Sequence, residues 1–394
     1  MRFLNQIVAV TRLNILNLPQ RIATSVVAIV GVTAVVLVFA AVLSMAKGFE
    51  RTLTAAGSDD VAIVLRSGAT SEMMSGFSHE QTQQIANLPG VRRDGDRPVS
   101  SAELFVIVDV PKIKTGKDAN VPFRGVDASA FGVRDDVRIV DGRMFETGKN
   151  ELIVGRGAQL EFAGLETGAT VRFGRVDWEV VGAFTAGGSV SESEIWTDTP
   201  VLQDAYRRGA SYQSVRVRLD SPESFAAFSD ALASDPRFDV DVYTERDWYA
   251  SQAEATAGFI RLLGYPVTFL MAIGAVFGAL NSMYASVSSR GTEIATLRAL
   301  GFGPVAVLVS TIIESTLLAL VGGLVGGALA FVVFNGFRVS TLGSSFSQVV
   351  FDFAVTPDLL TQGIVVALII GFVGGFLPAL RAARLPVAQA LREL

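Results

Sequence analysis

Four long segments of the chain consist almost entirely of apolar residues, and this pattern predicts four membrane-spanning helices. The segments cover residues 22–46, 258–289, 304–337 and 359–380. A helix needs about 20 apolar residues to cross a hydrocarbon core about 30 Å thick, and every segment reaches that length. The first run, with about 25 residues, is longer than the ~7–15 apolar residues of a secretory signal peptide. A retained first span is therefore favoured over a cleaved signal.

The segment before the first span, residues 1–21, predicts an amphipathic helix in the membrane interface. Apolar Phe3, Ile7 and Val8 recur at helical spacing among polar residues, which suits a helix lying in the plane of the bilayer. Pro19 is expected to end this helix, because the residue before a proline avoids the α conformation. A polar leader to the first span is the alternative interpretation.

The region between the first two spans, residues 47–257, has the mixed pattern of a water-exposed α+β domain. The order β-α-β occurs in it twice, and this is the order of elements in a split ferredoxin-like unit. The predicted elements are a strand at 61–65, a helix from the cap Ser78 to Leu88 and a strand at 103–110, then a strand at 215–219, a helix starting with Ser221-Pro222 and a strand at 238–243.

The stretch between the two copies, residues 111–212, predicts a β-rich subdomain inserted into the first. Strand patterns occur at 151–154, 170–173 and 178–184, separated by glycine-rich turns. The expected fold is therefore a membrane α-helical protein with four transmembrane helices. Its large extracytoplasmic α+β domain would combine a ferredoxin-like unit with a β-rich insertion.

The distribution of charge predicts how the chain is oriented in the membrane. Residues 47–257 hold 23 of the 33 Lys and Arg and 33 of the 38 Asp and Glu, a net charge of −10 against +5 for the rest. The segments 1–21, 290–303 and 381–394 are rich in arginine, whereas the short loop 338–358 is not. The arginines are Arg2, Arg12, Arg21, Arg290, Arg298, Arg381, Arg384 and Arg392, against Glu293 and Glu393.

The positive-inside rule places these three arginine-rich segments, and hence both termini, in the cytoplasm. The 47–257 domain and the 338–358 loop are then outside. A nucleic-acid partner is not expected, because the large domain is acidic and the chain has no basic stripe. The lipid bilayer is the expected environment of the remainder.

The sequence offers no convincing catalytic, cofactor-binding or metal-binding constellation. It contains no cysteine, and its one histidine, His79, follows the helix cap Ser78 and is expected to be solvated. A phosphate-binding loop needs the pattern G-x-x-x-x-G-K-[ST], and the nearest match, Gly142 to Gly148-Lys149-Asn150, has a wrong spacing and lacks the hydroxyl. The chain is therefore not expected to be an enzyme or to hydrolyse nucleotide by itself.

The cytoplasmic loop 290–303 contains a short predicted helix of mixed charged and apolar character. It begins near Thr292 and is expected to stop at Gly301, and its candidate contact residues are Glu293, Ile294, Leu297, Arg298, Ala299 and Gly301. A helix of this kind is either a simple connector or a docking element for a partner protein. The pattern alone leaves both interpretations open.

Two features inside the spans point to close helix packing. Glu314 lies about 15 Å along the third span, where a charge must face protein or water, and a structural hydrogen bond is favoured over a substrate contact. Small residues recur at four-residue spacing, which lets helix backbones approach closely in lipid. The pairs are Gly274/Gly278, Gly322/Gly326, Gly323/Gly327 and Gly371/Gly375.

Several runs of the sequence resemble the MacB/FtsX-like permeases of ABC transporters. In the membrane part these are SSRGTEIATLRALGF, ESTLLALVGGLVG and LPALRAARLPVAQALREL. In the large domain, LIVGRGAQLEFAGLETGATVRF and WEVVGAFTAGGS resemble the β-rich part of that family's periplasmic domain. The resemblance covers essentially the whole chain, and the run around residues 290–301 is its most specific part.

The resemblance implies a multi-pass protein of the bacterial inner membrane. It would act as a homodimer, or as a heterodimer with a paralogous permease, together with two copies of a separate ABC ATPase. The family's coupling helix matches residues 292–300. Unlike fused members, this sequence shows no nucleotide-binding domain before its first span. Its domain of about 210 residues favours an efflux or lipoprotein-release type over the smaller division-type permeases.

The function implied by the resemblance is mechanotransmission, in which ATP-driven motion of the ATPase is passed to the extracytoplasmic domain. The cargo would be a peptide, drug, lipid or lipoprotein, and a periplasmic adaptor is a further partner that the resemblance allows. The alternative is a regulatory permease that drives an extracytoplasmic enzyme or sensor without transport.

Overall fold

The computed structural model describes residues 2–17, 22–343 and 345–386. Pro19, Arg21, Arg392 and Glu393, on which part of the sequence argument rests, lie outside these residues. The chain divides into two units. The membrane unit comprises residues 1–46, 259–337 and 353–394, and the large domain comprises residues 47–258 and 338–352.

Helices and strands are numbered separately in chain order. The helices are α1 Arg2–Leu16, α2 Ile22–Thr54, α3 His79–Ala86, α4 Ala130–Val133, α5 Arg156–Glu161, α6 Thr199–Ala205, α7 Ser224–Ala233, α8 Glu245–Ser289, α9 Gly291–Ala299, α10 Pro304–Phe334 and α11 Pro357–Ala383. The strands are β1 Val61–Arg66, β2 Phe77–Ser78, β3 Arg93–Asp94, β4 Arg97–Pro98, β5 Ser100–Pro111, β6 Asp118–Val126, β7 Arg138–Gly142, β8 Glu151–Gly155, β9 Thr170–Phe173, β10 Val176–Thr185, β11 Ile195–Asp198, β12 Ser211–Tyr212, β13 Ser214–Arg218, β14 Val240–Thr244, β15 Arg338–Leu342 and β16 Gln348–Asp352.

Within the described residues, four helices are long and apolar enough to cross a membrane, as the sequence predicts. They are α2, α8, α10 and α11. Two of them extend well beyond their apolar runs, because α2 continues to Thr54 and α8 already begins at Glu245. Small and β-branched residues from all four helices form the core of the membrane unit. They include Val32, Val36, Ala275, Ala319 and Ala367.

Three of the four predicted glycine pairs allow close helix contacts. A Cβ added to Gly326 would lie 2.8 Å from the carbonyl oxygen of Thr33 in α2, and one on Gly375 would lie 1.8 Å from Ser315 Oγ. The prediction is wrong for Gly274 and Gly278 within this chain. Nothing in the described part of the structure lies within 4 Å of a Cβ at either position.

The two β-α-β copies of the large domain form one end of its main sheet. The strand order is β14-β1-β13-β5-β6-β11-β8-β10-β7, with β9 paired to β10. The strands β14, β1, β13 and β5 are antiparallel neighbours, with α3 and α7 as the helices of the two copies. This is the order of a split ferredoxin-like unit, so that prediction is confirmed.

One long strand joins the ferredoxin-like unit to the β-rich part. The first residues of β5, Ser100–Glu103, pair with β13, and the remainder pairs with β6. Ser78 caps α3 through a capping box with Gln81, as expected. The predicted start of α7 at Ser221-Pro222 is wrong, because residues 221–223 form a turn, with Ser224 N donating to Ser221 O, and the helix begins at Ser224.

The segment predicted to be an outer loop, residues 338–358, contains the β15–β16 hairpin, which belongs to the large domain. Val350 N donates to Ser193 Oγ at 2.9 Å, and Ser340 Oγ donates to Glu161 Oε1 at 2.9 Å. Lys112 Nζ donates to Gln348 Oε1 at 3.2 Å. The connection between α10 and α11 is therefore a structured part of the large domain rather than a free loop.

Candidate functional site

The short helix α9 connects α8 to α10 and is the segment that the sequence singles out. It begins after Arg290, and its first hydrogen bond runs from Ile294 N to Arg290 O. Gly301 adopts a φ of +95°, which only glycine tolerates easily, so the helix ends there as predicted. The exposed side of α9 carries Glu293 and Thr296. Leu300, directly after the helix, lies on the same side and is 73% exposed.

Two of the predicted partner-facing residues of α9 instead point into this chain. Ile294 is buried in a small core with Val287, Val307 and Ala382. Arg298 Nη1 donates to the carbonyl oxygens of Ala383 and Leu385, both at 3.0 Å, at the end of α11. Because residues 294 and 298 are one turn apart, they share a face, and this face attaches α9 to the membrane unit.

Arg290 and Glu314 form a buried ion pair at the start of α9. Arg290 Nη1 lies 2.7 Å from Glu314 Oε2, and the two residues are only 4% and 2% exposed. Arg290 also donates through Nη2 to Asn14 Oδ1 of α1, and Asn14 Nδ2 donates to Ser310 Oγ of α10 at 3.2 Å. The four residues, defined here as the Arg290 cluster, therefore connect α1, α9 and α10.

The Arg290 cluster extends toward the exposed side of α9. Arg290 Nε lies 3.7 Å from Glu293 Oε2, too far for a hydrogen bond, and has no hydrogen-bond partner among the described residues. The Glu293 side chain is 55% exposed. Arg290 thus lies between one carboxylate inside the third span and another on the surface of α9.

A cavity of about 400 Å³ lies beside the Arg290 cluster, between α1, α9 and α10. Its polar lining includes Asn17, Glu293 and Thr296, and its apolar lining includes Leu13 and Leu297. Leu297 is half-buried at the edge of this cavity. The cavity is large enough to receive a side chain of a second protein.

The large domain contains a second and larger buried charge network, which the sequence did not predict. Its members come from both parts of the domain and from the first residue of α8, and all are less than 10% exposed. They are Glu72, Glu103, Arg124, Arg134, Glu194, Arg216 and Glu245. Arg124 alone contacts Glu72 at 2.6 Å, Glu103 at 2.8 Å and Glu194 at 2.7 Å.

The arginines of this network keep two of its carboxylates, Glu72 and Glu103, ionised. Burial by itself would raise the pKa of Glu72, but the guanidinium groups of Arg124 and Arg216 outweigh it and hold this pKa at about 2. The pKa of Glu103 is lowered as well, because Arg134, Arg216 and Arg124 together outweigh its burial. Glu72 and Glu103 are therefore ionised at neutral pH, and the arginines around them stabilise their charge.

The remaining sequence candidates show no organised chemistry. His79 is exposed, and its Nδ1 lies 3.2 Å from Tyr212 Oη. Among the described residues, no group of His, Asp or Glu could hold a metal ion. Gly148 lies in the region that distantly resembles a phosphate loop. Its backbone N–H donates a hydrogen bond to the Asp198 carboxylate and is therefore already paired.

Comparison with protein families identifies the class of this chain. Residues 22–235 match the MacB-like periplasmic core domain, and residues 267–387 match the FtsX-like permease C-terminal domain. The chain belongs to the MacB/FtsX-like family of ABC transporter permeases. Together with its four apolar helices, this membership indicates an inner-membrane protein.

Two of the relatives of this chain are described as macrolide export ATP-binding/permease proteins. The chain is 25% identical over 363 residues to the macrolide export ATP-binding/permease protein MacB of Vibrio parahaemolyticus, covering 84% of this chain and 54% of that protein. The protein of the same description from Neisseria gonorrhoeae is 24% identical over 369 residues, with 84% and 55% covered. The chain thus spans about half the length of the curated relatives it matches.

Two solved structures are similar to part of this chain. One is the extracellular domain of the noncanonic ABC-type transporter YknZ from Gram-positive bacteria, with 17% identity, a TM-score of 0.34 and coverage of 44% of this chain and 91% of that one. The other is the periplasmic region of MacB from Actinobacillus actinomycetemcomitans, with 11% identity, a TM-score of 0.37 and coverage of 49% and 92%.

Proposed function

We propose that this chain is the membrane subunit of an ATP-driven ABC exporter and that it passes motion from a separate ABC ATPase to its large domain. Two ATPase copies would serve a permease dimer, and both termini and α9 would lie in the cytoplasm. The observation that carries the proposal is the two-sided construction of α9. One face is fixed to the membrane unit through Ile294 and Arg298, and the other presents Glu293, Thr296 and Leu300.

The position of α9 in the chain supports its role as the input. Only Arg290 separates it from the end of α8, and residues 300–303 separate it from Pro304, where α10 begins. A displacement of α9 is therefore delivered to two spans without an intervening flexible loop. The attachment of Arg298 to the last carbonyls of α11 adds a third span.

The chain connections of the large domain support its role as the output. All four spans lead directly into it: α2 continues to Thr54, α8 begins at Glu245, and α10 and α11 flank the β15–β16 hairpin. Motion of the spans would thus reach the domain through every one of its connections to the membrane. This arrangement suits mechanical coupling across the bilayer rather than passage of cargo between the spans.

Export or extraction is the work that we propose for this motion. The matched relatives are described as macrolide export proteins, which supports a drug-like cargo, and a peptide, lipid or lipoprotein belongs to the same proposal. The cargo would be handled by the large domain, with or without a periplasmic adaptor.

The docking of α9 can be tested by measuring how tightly the chain binds the ABC ATPase that copurifies with it. Leu297→Ala and Leu300→Ala should each weaken this affinity about 5- to 30-fold, the effect of losing an apolar anchor worth about 1–2 kcal/mol. Glu293→Arg should change mainly the association rate and its salt dependence. The matched control is Leu342→Ala, because Leu342 is also an exposed leucine, at 50%, but lies in the large domain.

Unchanged ATPase affinity in Leu297→Ala, Leu300→Ala and Glu293→Arg would show that α9 is only a connector. Weakened binding in Leu342→Ala as well would show that the loss is not specific to α9. Ile294→Ala serves as a second comparison. Because this side chain is buried within the chain, its truncation should lower the stability of the membrane unit more than it lowers the affinity for the ATPase.

A further inference from the structure

The Arg290 cluster is more elaborate than packing between α9 and the spans requires. Its ion pair is almost inaccessible to water, and it joins α1 to the α9–α10 region nearly 300 residues further along the chain, through contacts of Asn14 with residues 276 and 296 positions away. Separating a buried charge from its partner costs several kcal/mol of stability. Apolar surfaces of two helices, by contrast, can slide past each other at little cost. Arg290 and Glu314 should therefore stay together when α9 moves.

We propose that Arg290 is a positioning residue that transmits displacement of α9 to the interior of α10 through its ion pair with Glu314. Glu293, Arg290 and Glu314 form a line of alternating charges from the exposed face of α9 into the third span. A partner that pulls on α9 then pulls α10 with it. Asn14 extends the same link to α1, so the N-terminal helix follows the motion.

This inference rests on the proposed function, but it makes a separate claim. The proposed function requires that the ATPase binds α9 and that the large domain responds to ATP. The inference requires in addition that the response passes through the Arg290–Glu314 pair. A residue with a merely structural role would lower stability or ATPase binding when it is changed. A transmitting residue would abolish the response in complexes that still fold and bind the ATPase, even where its substitution also lowers stability.

The test uses the full permease–ATPase complex in lipid nanodiscs, with three measurements on each variant. ATPase affinity and ATP hydrolysis report on recruitment, and hydrogen exchange across the large domain, with and without ATP, reports on the response. Glu314→Gln removes the charge at nearly constant shape. In this variant, the change in hydrogen exchange of the large domain on adding ATP should be about tenfold smaller than in the wild type, a typical size for coupling between two sites. The affinity for the ATPase should change less than about twofold.

Two further variants keep the test decisive if Glu314→Gln fails to fold. The exchanged pair Arg290→Glu/Glu314→Arg retains one buried ion pair and should restore much of the ATP-dependent response. Glu314→Asp retains the charge on a shorter side chain and should give an intermediate response. The matched control is Ser315→Ala, which removes a buried hydrogen bond from the neighbouring residue of α10 to Gly371 O of α11 and should leave the response unchanged.

The possible outcomes separate the two claims. If the wild-type complex binds ATPase and its large domain responds to ATP, but Glu314→Gln responds equally, the transmission role of the pair is wrong. A response lost in Ser315→Ala to the same extent would also overturn it, because general helix packing would then suffice. If the wild-type domain does not respond to ATP at all, the proposed function itself fails.

Discussion

Replacing Arg124 by methionine should strongly destabilise the large domain. The guanidinium group of Arg124 pairs with Glu72, Glu103 and Glu194, and each of these carboxylates is almost completely buried. The Arg124→Met substitution keeps a long unbranched side chain, so its main effect is to remove the charge. The free energy of unfolding should therefore report the electrostatic part of the network.

The expected magnitude follows from how each carboxylate is paired. Glu72 keeps Arg216 after the substitution, and Glu103 keeps Arg134 and Arg216. Glu194 loses its guanidinium partner, and the one hydrogen bond to its carboxylate that remains among the described residues comes from Trp196 Nε1. One buried charge is left uncompensated, which costs about 3–5 kcal/mol.

The assay is urea unfolding of the full chain in detergent, followed by tryptophan fluorescence. The three tryptophans, Trp178, Trp196 and Trp248, all lie in the large domain, so the signal reports on this domain alone. With a slope of about 3 kcal/mol per molar urea, the midpoint of Arg124→Met should fall by more than about 1 M.

The matched control is Arg237→Met. Arg237 pairs with Asp235 at 2.5 Å, but its side chain is 66% exposed, and exposed pairs contribute about 0–1 kcal/mol. Its unfolding midpoint should stay close to that of the wild type. Equal, small shifts in Arg124→Met and Arg237→Met would refute the reasoning, because the buried network would then contribute no more than a surface pair.

Three other predictions concern acid stability, helix packing and topology. Because the pKa of Glu72 is about 2 in the folded domain against 4.5 ordinarily, roughly 3 kcal/mol of stability is present above pH 4.5 and is lost as the pH falls towards 2. Urea midpoints at several pH values should show this loss, and Glu72→Gln should flatten it. Gly375→Ala should cost about 1–3 kcal/mol in thermal unfolding because its Cβ would overlap Ser315 Oγ, whereas Gly274→Ala meets nothing described within 4 Å and should be neutral. In spheroplasts, an impermeant thiol reagent should label Thr115→Cys and not Ser289→Cys, and labelling at Ser289 from outside would contradict the proposed orientation.

Features encoded by neighbouring residues were predictable from the sequence. Apolar runs predicted the four spans, and alternation with turn signals predicted both β-α-β copies. Glycine pairs predicted close contacts in α10 and α11, but not which helix each would face. Gly274 and Gly278 carry the same sequence signal and have no such contact among the described residues, so spacing alone does not determine packing.

Features that depend on distant residues were not predictable. The sequence marks Glu314 as a charge inside a span. It gives no sign that Arg290 is the partner of Glu314, because an arginine in a cytoplasmic loop is counted only toward the orientation of the chain. Asn14 joins the same cluster from 276 residues away. In the large domain, Arg124 and Glu194 are 70 residues apart, and each looks like an ordinary surface charge in the sequence.

The β15–β16 hairpin was missed for another reason. Each of its strands has only five residues, and their partly apolar character merges with the ends of the neighbouring spans. Its membership of the large domain rests on contacts such as that of Val350 with Ser193, which no local pattern encodes. Short connections between spans can therefore belong to an extramembrane domain without any strong signal in the sequence.

The two buried charge networks differ in how easily their members can change partners. In the large domain, Glu103 contacts Arg124, Arg134 and Arg216, so a small rearrangement can exchange one partner for another without exposing a bare charge. In the membrane unit, Arg290 is the only cation paired with Glu314 in the part of the chain that the structure describes. A displacement of α9 cannot be absorbed there by exchanging partners, so α10 has to follow. On the proposed function, the membrane unit would transmit motion as a stiff link, and the large domain would change shape at lower cost.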